Sequence, residues 1–135
     1  MNHKRVVLDT NVVISALVFG GQAGYLVEKL IEANWDLVVC EQLFHEVAHK
    51  LRDKFQADEQ VISDLQFWLG QESWYEPSEC QGISSDPADD YLFGLAESAQ
   101  ADFLVSGDKK HVLKVKSRAG TQVVSISQMI KILEP

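Results

Sequence analysis

The chain is poor in cysteine, proline and positive charge, and each shortage removes a class of protein. Of its 135 residues only two are cysteines, Cys40 and Cys80. They form no Cys-x-x-Cys spacing, which excludes a disulfide framework and a cysteine-ligated zinc module. Free thiols in a reducing cytosol are the expectation. Prolines number three, and no linker-like, repetitive or low-complexity tract interrupts the chain. Residues 1–135 are therefore expected to form a single domain. Basic residues number 12 against 20 acidic ones, a net charge of −8 with a pI near 4.8. Such a chain does not hold nucleic acid by its overall field, so a local basic patch or a divalent cation would have to do that work. No apolar stretch approaches the roughly 20 residues of a transmembrane helix. His3-Lys4-Arg5 precedes an apolar run, as in a secretory signal, but Asp9 and Asn11 fall inside that run and spoil it. A cytoplasmic protein with no membrane contact is expected.

What is present is a regular alternation of short apolar runs and amphipathic stretches. Residues 4–9 read as a strand whose near-continuous apolar face suits a parallel strand covered on both sides. Val12 to Phe19 is helical or turn-like, and Gly20 to Gly24 reads as a flexible loop. Ala23, Leu26, Val27, Leu30 and Ile31 recur at helical spacing up to about Asn34. A strand is expected over Trp35–Cys40, then helices over Glu41–Lys54 and from about Val61 to Gly70. A weak strand at 73–76 precedes an irregular segment. Asp86-Pro87 opens the next helix, with Asp86 as N-cap and Pro87 at its first position. Strands over Phe103–Ser106 and Thr121–Ile126, a short helix over Lys109–Val115 and a terminal helix over Ser127–Leu133 complete the pattern. Alternating strands and helices indicate an α/β domain with a mainly parallel sheet.

Two of these strands run into acids. Asp9 follows Val6-Val7-Leu8, and Asp108 follows Phe103 to Ser106 with Gly107 between. Ligands of open parallel sheets bind outside the carboxyl ends of the strands, so neighbouring strands would bring Asp9 and Asp108 together there. The bland alternative is that each acid caps a helix. A second acidic group, Asp86, Asp89 and Asp90, opens a helix. Asp86 is explained as N-cap and Asp89 by the helix dipole, which leaves Asp90 as the better metal candidate. Clustered carboxylates need a cation, and oxygen-only ligands suit Mg²⁺ or Mn²⁺.

His45-Glu46-Val47-Ala48-His49 matches the H-E-x-x-H zinc-protease motif. The stripe Leu43, Phe44, Val47, Ala48, Leu51 marks the buried face of that helix. His45 and His49 lie opposite it, Glu46 lies at its margin, and no third histidine follows in the usual extension. A zinc metalloprotease is thus a remote alternative. After Asp108, the run Lys109, Lys110, His111, Lys114, Lys116 and Arg118 sets positive charge beside the acidic edge. A phosphodiester substrate would need such a patch, although a solvated helix face would look the same.

Taken in order, Val-Val-Leu-Asp9-Thr10-Asn11-Val12, a helical Glu46, Asp86-Pro-Ala-Asp89-Asp90 and Leu104-Val105-Ser106-Gly107-Asp108 resemble the PIN-domain family over essentially the whole chain. The likeness is greatest to the bacterial branch of toxin components of toxin–antitoxin systems. It implies a three-layer α/β/α, Rossmann-like fold with about five mainly parallel strands, and a metal-dependent ribonuclease. The family's four-acid catalytic and metal site falls on Asp9, Glu46, Asp90 and Asp108, holding one or two Mg²⁺ or Mn²⁺ ions. Thr10, Asn11 and Ser106 take supporting polar positions, and Asp86 and Asp89 belong to the branch's D-P-x-D-D pattern. Lys109, Lys110 and Lys114 are then RNA-binding candidates. The resemblance also implies an RNA substrate, a cognate antitoxin protein and a homodimer. In one place the sequence departs from the pattern: related chains often read Gly-Asp-Lys-Asp, and here Lys110 replaces the second acid.

A different class of reading is a catalytically weak RNA-binding or scaffold module on the same fold. Two other phosphoryl chemistries fit poorly. Dehalogenase-type phosphotransfer requires Asp-x-Asp after the first strand, where this chain has Asn11. A receiver domain requires adjacent acids there, which are missing.

Overall fold

The computed structural model describes residues 4–108 and 112–135. The first strand, β1 (Arg5–Leu8), is the axis of the fold. Val6, Val7 and Leu8 are almost wholly buried on both faces, as a central parallel strand requires. Two helices follow, α1 (Thr10–Val18) and α2 (Gly21–Glu32), and then β2 (Asp36–Val39). Next come α3 (Glu41–Phe55), α4 (Glu59–Gly70) and β3 (Ser73–Trp74). A 3₁₀ turn over Pro87–Asp89 leads into α5 (Asp90–Ala99) and β4 (Phe103–Val105). A second such turn (Leu113–Val115), β5 (Ser117–Arg118), β6 (Thr121–Val124) and α6 (Ile126–Leu133) complete the described chain.

The strand order is β3-β2-β1-β4-β6-β5. All neighbours pair in parallel except β5 with β6, which pair antiparallel. The order runs outward from β1 in both directions, so the crevice between the ends of β1 and β4 is the topological switch point. Right-handed crossovers put the helices of the outward run β1-β2-β3 on one face, and α5, which returns from β3 to β4, on the other. Packing agrees: α1, α2, α3, α4 and α6 meet in series, while α5 lies on β1, β2 and β4. The result is the expected three-layer α/β/α sandwich.

Three local expectations are corrected. The run from Gly20 to Gly24 is not a loop: Gly20 and Gly21 take the whole turn at positive φ, and the amide of Gly24 already bonds the Gly20 carbonyl at 2.8 Å. Two glycines can turn the chain sharply because neither carries a Cβ. The opening of the Asp86 segment is a 3₁₀ turn rather than α-helix, and the α-helix proper starts at Asp90. The edge hairpin between β5 and β6 adds a sixth strand, because Ser117-Arg118 is too short and too polar to register as a strand by pattern. Of the helix expected over Lys109–Val115, residues 109–111 lie outside the described residues. The remainder holds the 3₁₀ turn. No single helix among the described residues is long and apolar enough to cross a membrane; α1 and α2 pass such a test only as a pair broken by a 101° bend.

The irregular segment between β3 and α5 is strapped to α5 at two points. The Ser78 amide donates to the Gly94 carbonyl at 3.0 Å. Further on, the Gly82 and Ser84 amides donate to the Asp90 carboxylate at 3.0 and 2.8 Å. The first contact requires a glycine in mid-helix, because a Cβ at position 94 would collide with the Ser78 backbone. Gly94→Ala should therefore lower the unfolding free energy by roughly 1–3 kcal/mol, read from urea denaturation. Gly70→Ala, where a Cβ meets nothing within 4 Å, should leave it nearly unchanged.

Candidate functional site

The carboxyl end of β1 is where the chain buries a carboxylate. Asp9 is only 6% exposed and sits at the N-cap position of α1, yet its side chain makes no capping bond to that helix. It turns across the sheet to β4 instead. The Asp9 amide bonds the Val105 carbonyl at 2.9 Å, which brings Ser106 alongside. The Ser106 hydroxyl, fully buried, donates to Asp9 Oδ2 at 2.7 Å and accepts the Asp108 backbone N–H at 2.9 Å. One hydroxyl thus fixes the orientation of Asp9 and the course of the chain into Asp108. The helix-cap alternative for Asp9 does not hold.

Burial is the largest influence on Asp9 and pushes its carboxyl above the ordinary range. The Ser106 hydroxyl, the Thr10 amide and the positive charge of Lys50 work the other way, while the charge of Asp108 adds to the rise. A buried, partly desolvated acid next to another acid is a group that a cation would stabilise.

Glu46 reaches the same edge from α3. Its Oε2 accepts the Thr10 hydroxyl at 3.1 Å and the Tyr91 hydroxyl at 2.8 Å. These two hydroxyls also lie 3.4 Å apart. Asp90, also buried, is engaged by the Gly82 and Ser84 amides. Asp86 caps the 3₁₀ turn by accepting the Ala88 amide at 3.1 Å, which is the structural role its position suggested. Asp89, the last residue of that turn, is half-buried, Asn11 is exposed on the first turn of α1, and Lys114 is exposed in the second 3₁₀ turn. Lys109 and Lys110, the other two RNA-binding candidates, lie outside the described residues, as does the consequence of a lysine at 110.

The acids therefore assemble as an Asp9–Asp108 pair around Ser106, with Glu46 tied to Thr10 next door and Asp90 tied to the strap. Among the described residues no three His, Cys, Asp or Glu side chains group closely enough to hold a metal ion by themselves. That disfavours a closed all-protein cage of the zinc type. It is compatible with Mg²⁺, which is commonly held by one or two carboxylates and completes its shell with water and substrate phosphate. The donor set fits such an ion: it is all oxygen, and Asp9 is an acid held uncomfortably in the absence of positive charge. Among the described residues the H-E-x-x-H pair gains no third ligand close enough to complete a zinc site. His45 and His49 are exposed, and His49 pairs with Asp53 at 2.9 Å.

Sequence reasoning missed two residues. Lys50 lies one helical turn beyond Glu46, and the i, i+4 spacing could have marked it. Tyr91 follows Asp90 directly and was overlooked beside so strong a candidate. Next to Glu46, an open groove of about 820 Å³ runs along α3 and α4, lined among others by Gln42, His45, His49, Arg52 and Gln66.

A mostly parallel α/β sandwich with acids gathered at its switch point defines a class of ligand-binding α/β proteins. A family model for the PIN domain matches residues 5–110, and the chain belongs to the PIN-domain family. Members of this family are generally nucleases. Among solved structures, VapBC2 from Rickettsia felis bound to a DNA fragment from their promoter superposes with a TM-score of 0.62. The match covers 90% of this chain and 98% of that chain at 15% sequence identity. At that identity the likeness speaks to the fold. No functionally curated protein matches the chain in sequence.

The elevated carboxyl of Asp9 carries a consequence for stability. In the unfolded chain Asp9 ionises near its ordinary value of 3.8, and in the folded protein it ionises at higher pH. Above that folded pKa, the charged, buried Asp9 costs stability. Asp9→Asn should then raise the melting temperature of the metal-free protein at pH 7, by roughly a few degrees. The advantage should shrink as pH falls through the raised pKa and vanish below 3.8, as followed by circular dichroism melts across pH.

Proposed function

We propose that this protein is a Mg²⁺- or Mn²⁺-dependent endoribonuclease that acts in the cytoplasm as the toxin of a toxin–antitoxin pair. The observation that carries the proposal is the Asp9–Ser106–Asp108 arrangement: a buried, proton-prone carboxylate held against a second acid at the switch point of a PIN fold. The antitoxin half of the reading is supported by the fold shared with VapBC2, a toxin–antitoxin complex.

On this reading Asp9 and Asp108 hold the divalent ion, with Glu46 and Asp90 as further acids at its margin. A divalent cation in such a site supplies neutralisation of the phosphodiester and activation of water for attack on phosphorus. The protein's own work is positional. Ser106 holds Asp9 in one rotamer and sets the start of the Asp108 loop. Thr10 ties Glu46 to the end of β1, and the Gly82 and Ser84 amides keep Asp90 at the head of α5. Lys50 contributes a positive charge near Asp9 that partly offsets the acids when no ion is bound.

A second reading is favoured by one observation, that among the described residues no three acids converge into a ready-made metal cage. It is an RNA-binding or scaffold module with weak catalysis. A single assay separates the two: labelled RNA incubated with Mg²⁺, Mn²⁺ or chelator. The nuclease reading expects metal-dependent products, a loss of roughly 100-fold or more in Asp9→Asn and Asp108→Asn, and a native circular dichroism spectrum for both variants. Full activity in Asp9→Asn would overturn it, and retained RNA binding without metal-dependent products would favour the scaffold.

A further inference from the structure

Tyr91 has no part in the four-acid pattern, yet its geometry is that of a site residue. It is the second residue of α5, on the opposite side of the sheet from α3 by the handedness of the crossovers. Its hydroxyl nevertheless reaches Glu46 on α3, donating to Oε2 at 2.8 Å. Thr10, at the end of β1, donates to the same oxygen at 3.1 Å. The two layers of helices thus meet over the carboxyl edge of the central strand through one carboxylate oxygen and two hydroxyls. Both donors choose Oε2 and neither chooses Oε1, so that oxygen is pinned from both sides and Oε1 is left to other partners. Tyr91 is half-buried against the core, and its phenol is held above its ordinary pKa, first by burial and then by Glu46.

A simple structural role would not explain this choice of partner. A buried tyrosine hydroxyl needs a hydrogen bond, but Thr10, 3.4 Å away, offers one, and the shorter bond goes to the acid. Its neighbour Asp90 is meanwhile held by the strap. The first turn of α5 therefore fixes two of the four acids, Asp90 by its own backbone position and Glu46 by the Tyr91 hydroxyl.

We propose that Tyr91 is a positioning residue of the nuclease site: its hydroxyl, together with Thr10, holds the Glu46 carboxylate toward the Asp9–Asp108 pair. This rests on the metal-dependent nuclease reading above. Residues that orient metal-site carboxylates typically contribute 10- to 100-fold to affinity or rate.

The test compares wild type, Tyr91→Phe, Glu46→Gln and the double variant. Tyr91→Phe keeps the half-buried ring and removes only the hydroxyl. Three quantities are read: Mn²⁺ affinity by titration of the metal-free protein, kcat and KM on a labelled RNA, and the melting temperature. The expected result for Tyr91→Phe is a roughly 10-fold weaker Mn²⁺ affinity, a roughly 10-fold lower kcat and a KM for RNA within about 2-fold of wild type. In the Glu46→Gln background the same change should add little, because the hydroxyl acts through Glu46. Additive losses in the double variant, or a wild-type Mn²⁺ affinity and kcat in Tyr91→Phe, would overturn the proposal. A lower melting temperature with unchanged metal affinity would assign Tyr91 to packing alone and also overturn it. If the wild-type protein itself neither binds Mn²⁺ nor cleaves RNA, the nuclease reading is what has failed, and the role of Tyr91 fails with it.

Discussion

The bond from the Ser106 hydroxyl to Asp9 is the constraint on which the rest of the site depends. Burying a carboxylate is costly unless it is hydrogen-bonded and opposed by positive charge. Here the compensation is incomplete. One hydroxyl, one backbone amide and the more distant charge of Lys50 leave Asp9 with an elevated affinity for protons. A group that binds a proton too readily in the folded protein is one that also gains from a metal cation. The same serine accepts the Asp108 amide, so the fixation of the first acid and the placement of the second are a single event.

This bond can form because β1 and β4 are parallel neighbours whose last residues, Leu8 and Val105, pair in register. A slip of one residue would point Asp9 and Ser106 to opposite faces of the sheet. The register is protected by burial on both sides, since Val6, Val7, Leu8, Leu104 and Val105 are almost wholly shielded from water. Core packing thereby sets the distance between two catalytic candidates, without either candidate contributing much to the core.

The head of α5 is the second organising point. Asp90 ties the strap before α5 through two amides, Gly94 accepts the strap at close range, and Tyr91 crosses to Glu46. The strap contacts are local, whereas the Tyr91–Glu46 bond joins segments 45 residues apart, and together they bring acids from both helical layers to one edge. The α5 helix is anchored by its apolar face on the sheet, so its first turn is a rigid platform for these polar contacts.

The alternation of apolar runs and amphipathic stretches determined the class of the fold by itself. The reason is that burial imposes period and length: Val6-Val7-Leu8 has to be a covered strand, and Leu43, Val47 and Leu51 have to share a helix face. The acids at strand ends were legible too, because a charge after a buried run has to emerge at an edge. What the sequence did not determine was partnership. Whether Asp9 capped α1 or bonded Ser106, whether Glu46 belonged with His45 and His49 or with Thr10 and Tyr91, and whether Asp90 lay open or was held by Gly82 and Ser84 were all decided by tertiary structure. Local spacing constrains a side chain only within its own element. Contacts such as Asp9 with Ser106 and Glu46 with Tyr91 depend on strand register and helix placement, which arise only when the whole core packs.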